Sequence, residues 1–495
     1  MATTITVCNP DIPASQFLEV ELDDGQSRRQ YTPSLWGEFF LTHEPCTPSE
    51  LLSMKEKAEA KKEEVRRIVL DAAASDDLTQ KLDLVDVLQR LGVAYHYKKE
   101  IDDVLCAVYD DKLGGSDDLY VTSLRFYLLR KHGYSVSSDV FVKFRDEEGN
   151  ISSDDVNIMM MLYDAAHMRI TGEDILDNII TVNKSRLQYL AETNLETDQV
   201  EEIRVTLETP RFRRVERVEA RRFISAYEKN AARDDTLLEF AKLDYNIVQA
   251  LYCQELKQLT TWWKDFKSRT DMRWDEKAAE QLPKSLRSFY CNVISNTNEI
   301  IEHLKIQKNM NAEAVRKLVT HVAKSYHAEV KWRDDQYIPT NVEEHLQISM
   351  PSIVAMQTAN CALVSLGDVT SREAVEWAFN FPKIVRGVAI VARISNDIVS
   401  HEREQASDHM ASTVQTCMKQ YGVTAEEATE KLRVHVEKAW MEIVQGCLDQ
   451  EYSIVLLEKV VNCARTIDFI YKREDAYTSS SKLKDTITSL YVKLV

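Results

Sequence analysis

Residues 383–404 read KIVRGVAIVARISNDIVSHERE, and this stretch decides the fold class. Its first half is almost wholly apolar, which predicts a largely buried helix, and its second half acquires polar side chains. Asn396, Ser400 and Glu404 stand at positions i, i+4 and i+8, so that their oxygens share one helix face. Amide, hydroxyl and carboxylate oxygens suit a hard divalent cation. The pattern predicts a Mg²⁺ site, with Mn²⁺ as the alternative ion.

Two charged neighbours extend the predicted site. Arg393 lies just before the metal face and would place a guanidinium beside the ion, the pairing that an anionic phosphate group requires. Asp397 is adjacent and is a candidate to support the metal ligands from behind. The alternative is a solvated helix face. This alternative is disfavoured here because residues 388–391 are wholly apolar, which predicts burial, and burying a polar cluster without a ligand costs free energy of folding.

Composition supports an all-α fold. Of the 495 residues only 12 are Gly and 10 are Pro, together about 4%, against roughly 12% in an average protein. Sheets and barrels need Gly and Pro at their many turns, so this scarcity favours long helices. The formal net charge of −18 opposes binding to nucleic acid or to an anionic membrane surface. An anionic substrate would therefore need a local cation.

The cysteines and the N-terminal sequence indicate a cytoplasmic protein. Nine Cys are scattered along the chain without a Cys-x-x-Cys pair, which is typical of reduced thiols. The first 28 residues contain five acidic side chains, which secretory and transit peptides avoid, and no run of 18 apolar residues predicts a membrane span. We expect a monomer.

The chain divides into an arm and two helical domains. Residues 1–30 lack helical periodicity and are interpreted as an extended arm. Amphipathic segments fill 31–207, and Pro and charge concentrate at 206–218, which predicts a domain boundary. Helical patterns resume and continue through 208–495.

The polar end of the 383–404 helix resembles a motif of a known family. Its residues Asn396-Asp-Ile-Val-Ser400-His-Glu-Arg-Glu404 are similar to the second metal-binding motif of class I plant terpene synthases, (Asn/Asp)-Asp-x-x-(Ser/Thr)-x-x-x-Glu. The resemblance covers nearly the whole chain. Further similar segments lie at 88–97, 124–130, 172–176, 219–224, 240–246, 262–264 and 418–423.

The resemblance implies a fold and an activity. The family has a helical N-terminal domain without chemistry and a C-terminal helical bundle that ionises a prenyl diphosphate held by magnesium ions. Asn396, Ser400 and Glu404 would then bind one magnesium, and Arg393 would contact the diphosphate. Tyr477 matches a lid segment of the family and could line the cavity, the alternative being ordinary packing. The cytosolic sesquiterpene type is the most similar, which implies farnesyl diphosphate, with geranyl diphosphate as the alternative.

One family motif is missing. The Asp-Asp-x-x-Asp motif should follow the Trp-Trp-Lys segment, but the chain runs directly through 266–270 into a later family segment, so several dozen residues, about two helices, are absent. We expect their loss to expose apolar faces at 243–259 and 385–394. Acidic pairs elsewhere are interpreted as solvated surface. These pairs are 110–111, 117–118, 154–155, 234–235 and 334–335.

Three functions remain open on the sequence alone. The first is a terpene synthase of weak or no activity, because one of its two metal motifs is missing. The second is a non-catalytic protein that keeps the fold and binds only metal-diphosphate or another helical protein. The third, an all-α scaffold without a ligand, is disfavoured by the polar cluster on the 383–404 helix.

Overall fold

The expectation of an all-α fold is confirmed. The described residues of the computed structural model form α-helices and short 3₁₀ turns, with no β-strand among them. The expected arm at 1–30 and positions 269–270 of the expected gap lie outside the described part of the chain. The structure describes residues 35–111, 116–192, 197–268, 284–405 and 411–495.

Ten helices form the N-terminal half and lead into the bundle. Helix α2 packs along α10, α5 packs against α6, and α6 packs against α7. Helix α2 begins sharply because Thr47 and Glu50 form a reciprocal capping box. The ten are α1 (Phe39–Thr42), α2 (Pro48–Ala74), α3 (Leu78–Arg90), α4 (Lys98–Asp110), α5 (Leu119–Lys131), α6 (Val156–Ala166), α7 (Asp174–Glu192), α8 (Thr197–Glu208), α9 (Glu216–Lys229) and α10 (Asp235–Ser268).

Ten further helices follow, and one of them lies at the centre. Helix α16, the helix predicted at 383–404, contacts α13, α14, α17, α18 and α19. Its central position explains its apolar first half. The ten are α11 (Lys284–Ile306), α12 (Ala314–Asp334), α13 (Val342–Ser352), α14 (Ala355–Ser365), α15 (Arg372–Phe379), α16 (Lys383–Gln405), α17 (Thr413–Tyr421), α18 (Ala425–Leu448), α19 (Ile454–Ile470) and α20 (Lys484–Tyr491).

Two glycines let α16 approach α18 closely. A Cβ atom on Gly387 would lie 2.8 Å from the carbonyl oxygen of Ala439, and a Cβ atom on Gly446 would lie 2.7 Å from Cβ of Ile384. Real Cβ atoms essentially never approach a neighbour this closely. The interior is close-packed here, so any side chain at either position forces the two helices apart.

Charged groups join the two halves of the chain. The predicted boundary at 206–218 is the connection between α8 and α9, which includes a 3₁₀ turn at Arg211–Arg213. Arg213 donates two hydrogen bonds to Glu437 on α18, at 2.6 and 2.8 Å, and Arg465 on α19 donates to the carbonyl oxygen of Phe212 at 2.7 Å. The connection is therefore anchored to the C-terminal helices.

The expectation of exposed apolar faces is confirmed only for the second half of 243–259, because Leu243 and Ile247 are partly buried, and it is wrong for 385–394. On α10, Leu251 and Tyr252 are 39% exposed and Leu259 is 60% exposed. In contrast, Val385 and Ile394 on α16 are completely buried. The neighbours of α16, helices α13, α14, α17, α18 and α19, cover it on several sides without the missing segment. Among the described helices, none has the length and apolar character needed to cross a bilayer.

Candidate metal and diphosphate site

The predicted site residues lie where the buried helix α16 begins to reach solvent. Asp397 and Ser400 are buried, while Arg393, Asn396 and Glu404 are partly buried. The sequence produces this gradient because the apolar run through Ile394 packs in the core and the polar residues follow it. The predicted helix and its polar face are therefore present in the structure.

Arg393 is held by four groups on three helices. Its Nη1 lies 3.3 Å from Oδ1 of Asp397, and its Nη2 lies 3.5 Å from Oε1 of Glu329 on α12. On α13, the carbonyl oxygen of Ser349 accepts a hydrogen bond from Nε at 3.3 Å, and Oγ of Ser352 accepts one from Nη2 at 3.0 Å. Burial lowers the pKa of Arg393, but the carboxylates of Asp397 and Glu329 outweigh this effect and raise it. The guanidinium is a fixed positive charge.

Asp397 has protein partners on both carboxylate oxygens. Oδ1 faces Arg393, and Oδ2 accepts a hydrogen bond from the backbone N–H of Thr413 at 2.7 Å. These contacts tie α16 to the start of α17 and orient the arginine. The arrangement suits the supporting role expected of Asp397 rather than direct metal ligation.

Ser400 and Glu404 carry the clearest sign of a ligand. Oγ of Ser400 is buried and has no hydrogen-bond partner in the described part of the chain, which is costly for a hydroxyl. Burial raises the pKa of Glu404, and the charge of Asp397 adds to the rise. The Ser400 hydroxyl lies near enough to offset part of it, although the two groups lack hydrogen-bond geometry. An orphaned hydroxyl beside a partly buried carboxylate fits a divalent cation.

Tyr477 lies apart from the polar cluster. Its side chain is 77% exposed, in the loop between α19 and α20. The loop is nevertheless fastened to the end of α16, because Arg403 donates a hydrogen bond to Asp475 at 2.6 Å. Tyr471, nearby, has its pKa raised to about 12 by burial, with Asp475 and Tyr477 contributing. Tyr477 is thus an exposed residue on a loop that is attached to the end of α16, and its role in lining the cavity stays a prediction.

Sequence reasoning missed the groups that hold the arginine. Glu329, His345, Ser349 and Ser352 surround Arg393 from α12 and α13. A polar residue on an amphipathic helix resembles any solvated position, so the sequence carries no clear signal for Glu329. The pair Ser349 and Ser352, one turn apart beside apolar residues, was the available hint.

The acidic pairs are surface residues and helix caps. All ten members are exposed except Asp234, which is partly buried. Asp118, Asp155 and Asp234 accept hydrogen bonds from backbone N–H groups at the starts of α5, α6 and α10. Within the described ranges, no group of three or more His, Cys, Asp or Glu side chains could hold a metal. These pairs therefore do not replace the missing acidic motif.

Comparison with known proteins identifies both halves of the chain. Residues 35–207 match the family model of the terpene synthase N-terminal domain, and residues 254–442 match that of the terpene synthase metal-binding domain. The chain is 43% identical to (E)-beta-caryophyllene synthase of Zea mays, covering 93% of this chain and 95% of the maize protein. It is 37% identical to beta-sesquiphellandrene synthase of Sorghum bicolor, covering 94% and 96%.

Solved structures share the fold. Limonene synthase with 2-fluorolinalyl diphosphate superimposes with a TM-score of 0.85 at 22% identity, covering 94% of this chain and 99% of that one. Isoprene synthase from grey poplar, in complex with three Mg²⁺ ions and dimethylallyl-S-thiolodiphosphate, gives a TM-score of 0.80 at 24% identity, covering 90% and 97%. At these identities the likeness concerns the fold alone.

The alignment with the maize protein also bears on the missing segment. It spans 525 positions, more than the 495 residues of this chain, so the maize protein contains residues that have no counterpart here. The two family models together cover most of the chain, and the sequence relatives cover more than nine tenths of it. The chain belongs to the plant terpene synthase family.

Proposed function

We propose that this chain binds a Mg²⁺-complexed prenyl diphosphate on the polar face of α16 and that its reaction is the ionisation of that substrate to a sesquiterpene with release of diphosphate. Asn396, Ser400 and Glu404 would hold one ion, and Arg393 would contact the diphosphate. The observation that carries the proposal is the buried hydroxyl of Ser400, which has no hydrogen-bond partner among the described residues and which a magnesium ion would satisfy. Mn²⁺ is the alternative ion.

The chemistry follows from charge. Cleavage of the carbon–oxygen bond leaves negative charge on the departing diphosphate, and positive groups in fixed positions stabilise it. Bound Mg²⁺ supplies Lewis-acid stabilisation of the leaving group. Arg393 supplies a second positive charge, and its contacts with Asp397, Glu329 and α13 hold the guanidinium in place before the substrate arrives. Such preorganisation avoids rearrangement during the reaction.

Farnesyl diphosphate is the proposed substrate. The support is the identity of 34–43% to proteins of Zea and Sorghum that are named for sesquiterpene products, in alignments that each cover at least 93% of this chain. Geranyl diphosphate is the alternative. A monomer in the cytoplasm remains part of the proposal, as does the division into domains at 31–207 and 208–495.

We further propose that this form is weak or inactive as a catalyst. Support comes from the residues of the maize protein that have no counterpart here and from the exposed apolar side chains on α10. One of the two metal-binding motifs expected from the family is then lost. The alternative function, a non-catalytic protein that binds metal-diphosphate or a partner protein, is favoured by the same observations.

Calorimetry tests the proposal. Inorganic diphosphate is titrated into the protein with and without Mg²⁺, and turnover of farnesyl diphosphate is followed by gas chromatography. We expect Mg²⁺-dependent binding that Glu404→Ala abolishes and that Glu402→Ala, an exposed position on the same helix, leaves intact. Binding without turnover indicates the non-catalytic form, turnover at an ordinary rate refutes the impairment, and no binding refutes the function.

A further inference from the structure

His345 on α13 is a completely buried histidine with a partner on each ring nitrogen. Nε2 lies 2.8 Å from the carbonyl oxygen of Ala411, and Nδ1 lies 2.9 Å from Oγ of Ser349. A carbonyl oxygen only accepts, so Nε2 carries the hydrogen and Nδ1 accepts from the serine hydroxyl. These two bonds fix the tautomer and the orientation of the ring.

The two bonds connect the segment after α16 to the helix that holds Arg393. Ala411 lies two residues before Thr413, whose N–H donates to Asp397. Ser349, on the other side of the ring, presents its carbonyl oxygen to Nε of Arg393 at 3.3 Å. The Asp397 carboxylate therefore contacts Arg393 directly, and the His345 imidazole is connected to Arg393 through Ser349.

We propose that His345 is a positioning residue for Arg393: by tying Ser349 on α13 to Ala411, it sets the place of the carbonyl and hydroxyl oxygens that receive the guanidinium. The expected effect of His345 on diphosphate affinity rests on the proposed function. The effect of His345 on the position of Arg393 is independent of that function, because it is a property of the protein without a ligand.

A second buried histidine, His167, serves as a comparison, because its hydrogen bond stays within its own segment of the chain. His167 is also buried, but its Nδ1 donates to the carbonyl oxygen of Tyr163, four residues earlier in its own chain segment, at 2.9 Å. His345 instead joins α13 to a separate segment and faces Arg393, Asp397 and Glu329. His167 is therefore a matched control of similar burial.

The experiment uses three variants of the full chain. His345→Phe removes both hydrogen bonds, and His167→Phe removes the bond of the control. Ser349→Ala removes only the hydroxyl that His345 accepts from, keeps the carbonyl that Arg393 needs, and is available if His345→Phe fails to fold. A crystal structure of each variant measures the distance from Nε of Arg393 to the carbonyl oxygen of Ser349, which is 3.3 Å here.

We expect this distance to exceed 3.5 Å in His345→Phe and Ser349→Ala and to stay unchanged in His167→Phe. We also expect both site variants to lose about tenfold in Mg²⁺–diphosphate affinity by calorimetry, a loss that the control does not share. An unchanged distance in both site variants overturns the inference. If the unaltered protein binds no diphosphate, the proposed function fails, and the distance alone still decides the role of His345.

Discussion

Nη2 of Arg393 on α16 and Oε1 of Glu329 on α12 lie 3.5 Å apart, although 64 residues separate them in the chain. The Glu329 side chain is only 4% exposed, and its Oε2 has no hydrogen-bond partner within the described residues. A buried carboxylate of this kind depends on the arginine for compensation of its charge. The same pair therefore orients a cation for an anionic ligand and contributes to the stability of the bundle.

Replacing Arg393 is expected to destabilise the protein. Arg393→Met leaves Glu329 and Asp397 as buried charges without their partner, which costs roughly 3–5 kcal/mol in the free energy of unfolding. Urea unfolding measures the change. The control is Arg433→Met on α18, where the side chain is 60% exposed, its partner Glu430 is 78% exposed, and an effect of about 1 kcal/mol or less is expected. Equal losses in the two variants would contradict the charge argument.

Ser400→Ala is expected to improve stability and impair binding. The substitution removes a buried hydroxyl that has no partner in the described ranges, so the unfolding free energy should stay the same or rise by about 1 kcal/mol. Mg²⁺–diphosphate affinity should fall about tenfold, because one proposed ligand oxygen is lost. Ser395→Ala, partly buried on the same helix but outside the metal face, controls for loss of a hydroxyl. Destabilisation with unchanged affinity would indicate a purely structural serine.

Acidification is expected to weaken the fold through His167. Burial, followed by the charge of Arg213, lowers the pKa of His167 to about 3, whereas the unfolded chain titrates near 6.5. The unfolded state therefore binds the proton first, and stability falls as pH drops below about 6.5. Between pH 7 and pH 5 this group should cost about 2 kcal/mol. His167→Asn should remove that part of the slope in urea unfolding, and parallel curves would disprove the assignment.

The link between the two halves depends on Glu437. Its carboxylate accepts hydrogen bonds from Arg213 and from Arg169, both buried, and these bonds hold its pKa well below the usual range although burial opposes this. Glu437→Gln should lower the unfolding free energy by about 2 kcal/mol, a moderate loss because the glutamate is 39% exposed and water screens the pair. Glu430→Gln, exposed on the same helix, should change it by less than about 0.5 kcal/mol.

Much of the fold could be predicted from pattern and composition. The scarcity of Gly and Pro indicated helices throughout, and the helix expected at 383–404 is observed at Lys383–Gln405. These predictions succeed because helical periodicity is local. Which faces stay exposed is not local, and for that reason the expectation for 385–394 was wrong.

The site was predictable only along one helix. The spacing of Asn396, Ser400 and Glu404 follows from helix geometry, so the shared face could be derived without a structure. Glu329 and His345 could not be found in this way, because their contacts with the site depend on how α12 and α13 pack against α16. The magnesium ligands themselves remain a prediction that calorimetry has to test.

The spacing of α16 and α18 depends on two hydrogen atoms, those that Gly387 and Gly446 carry in place of a side chain. Neither glycine touches the proposed ion or its ligands. In a mutational survey, however, Gly446→Ala would have the same effect as a substitution in the binding site. The added methyl group would push α16 away from α18 and so displace the polar face of α16 relative to α12 and α13. Inspection of the metal motif alone would then classify this variant as able to bind the ion, although its helices no longer pack in the native arrangement.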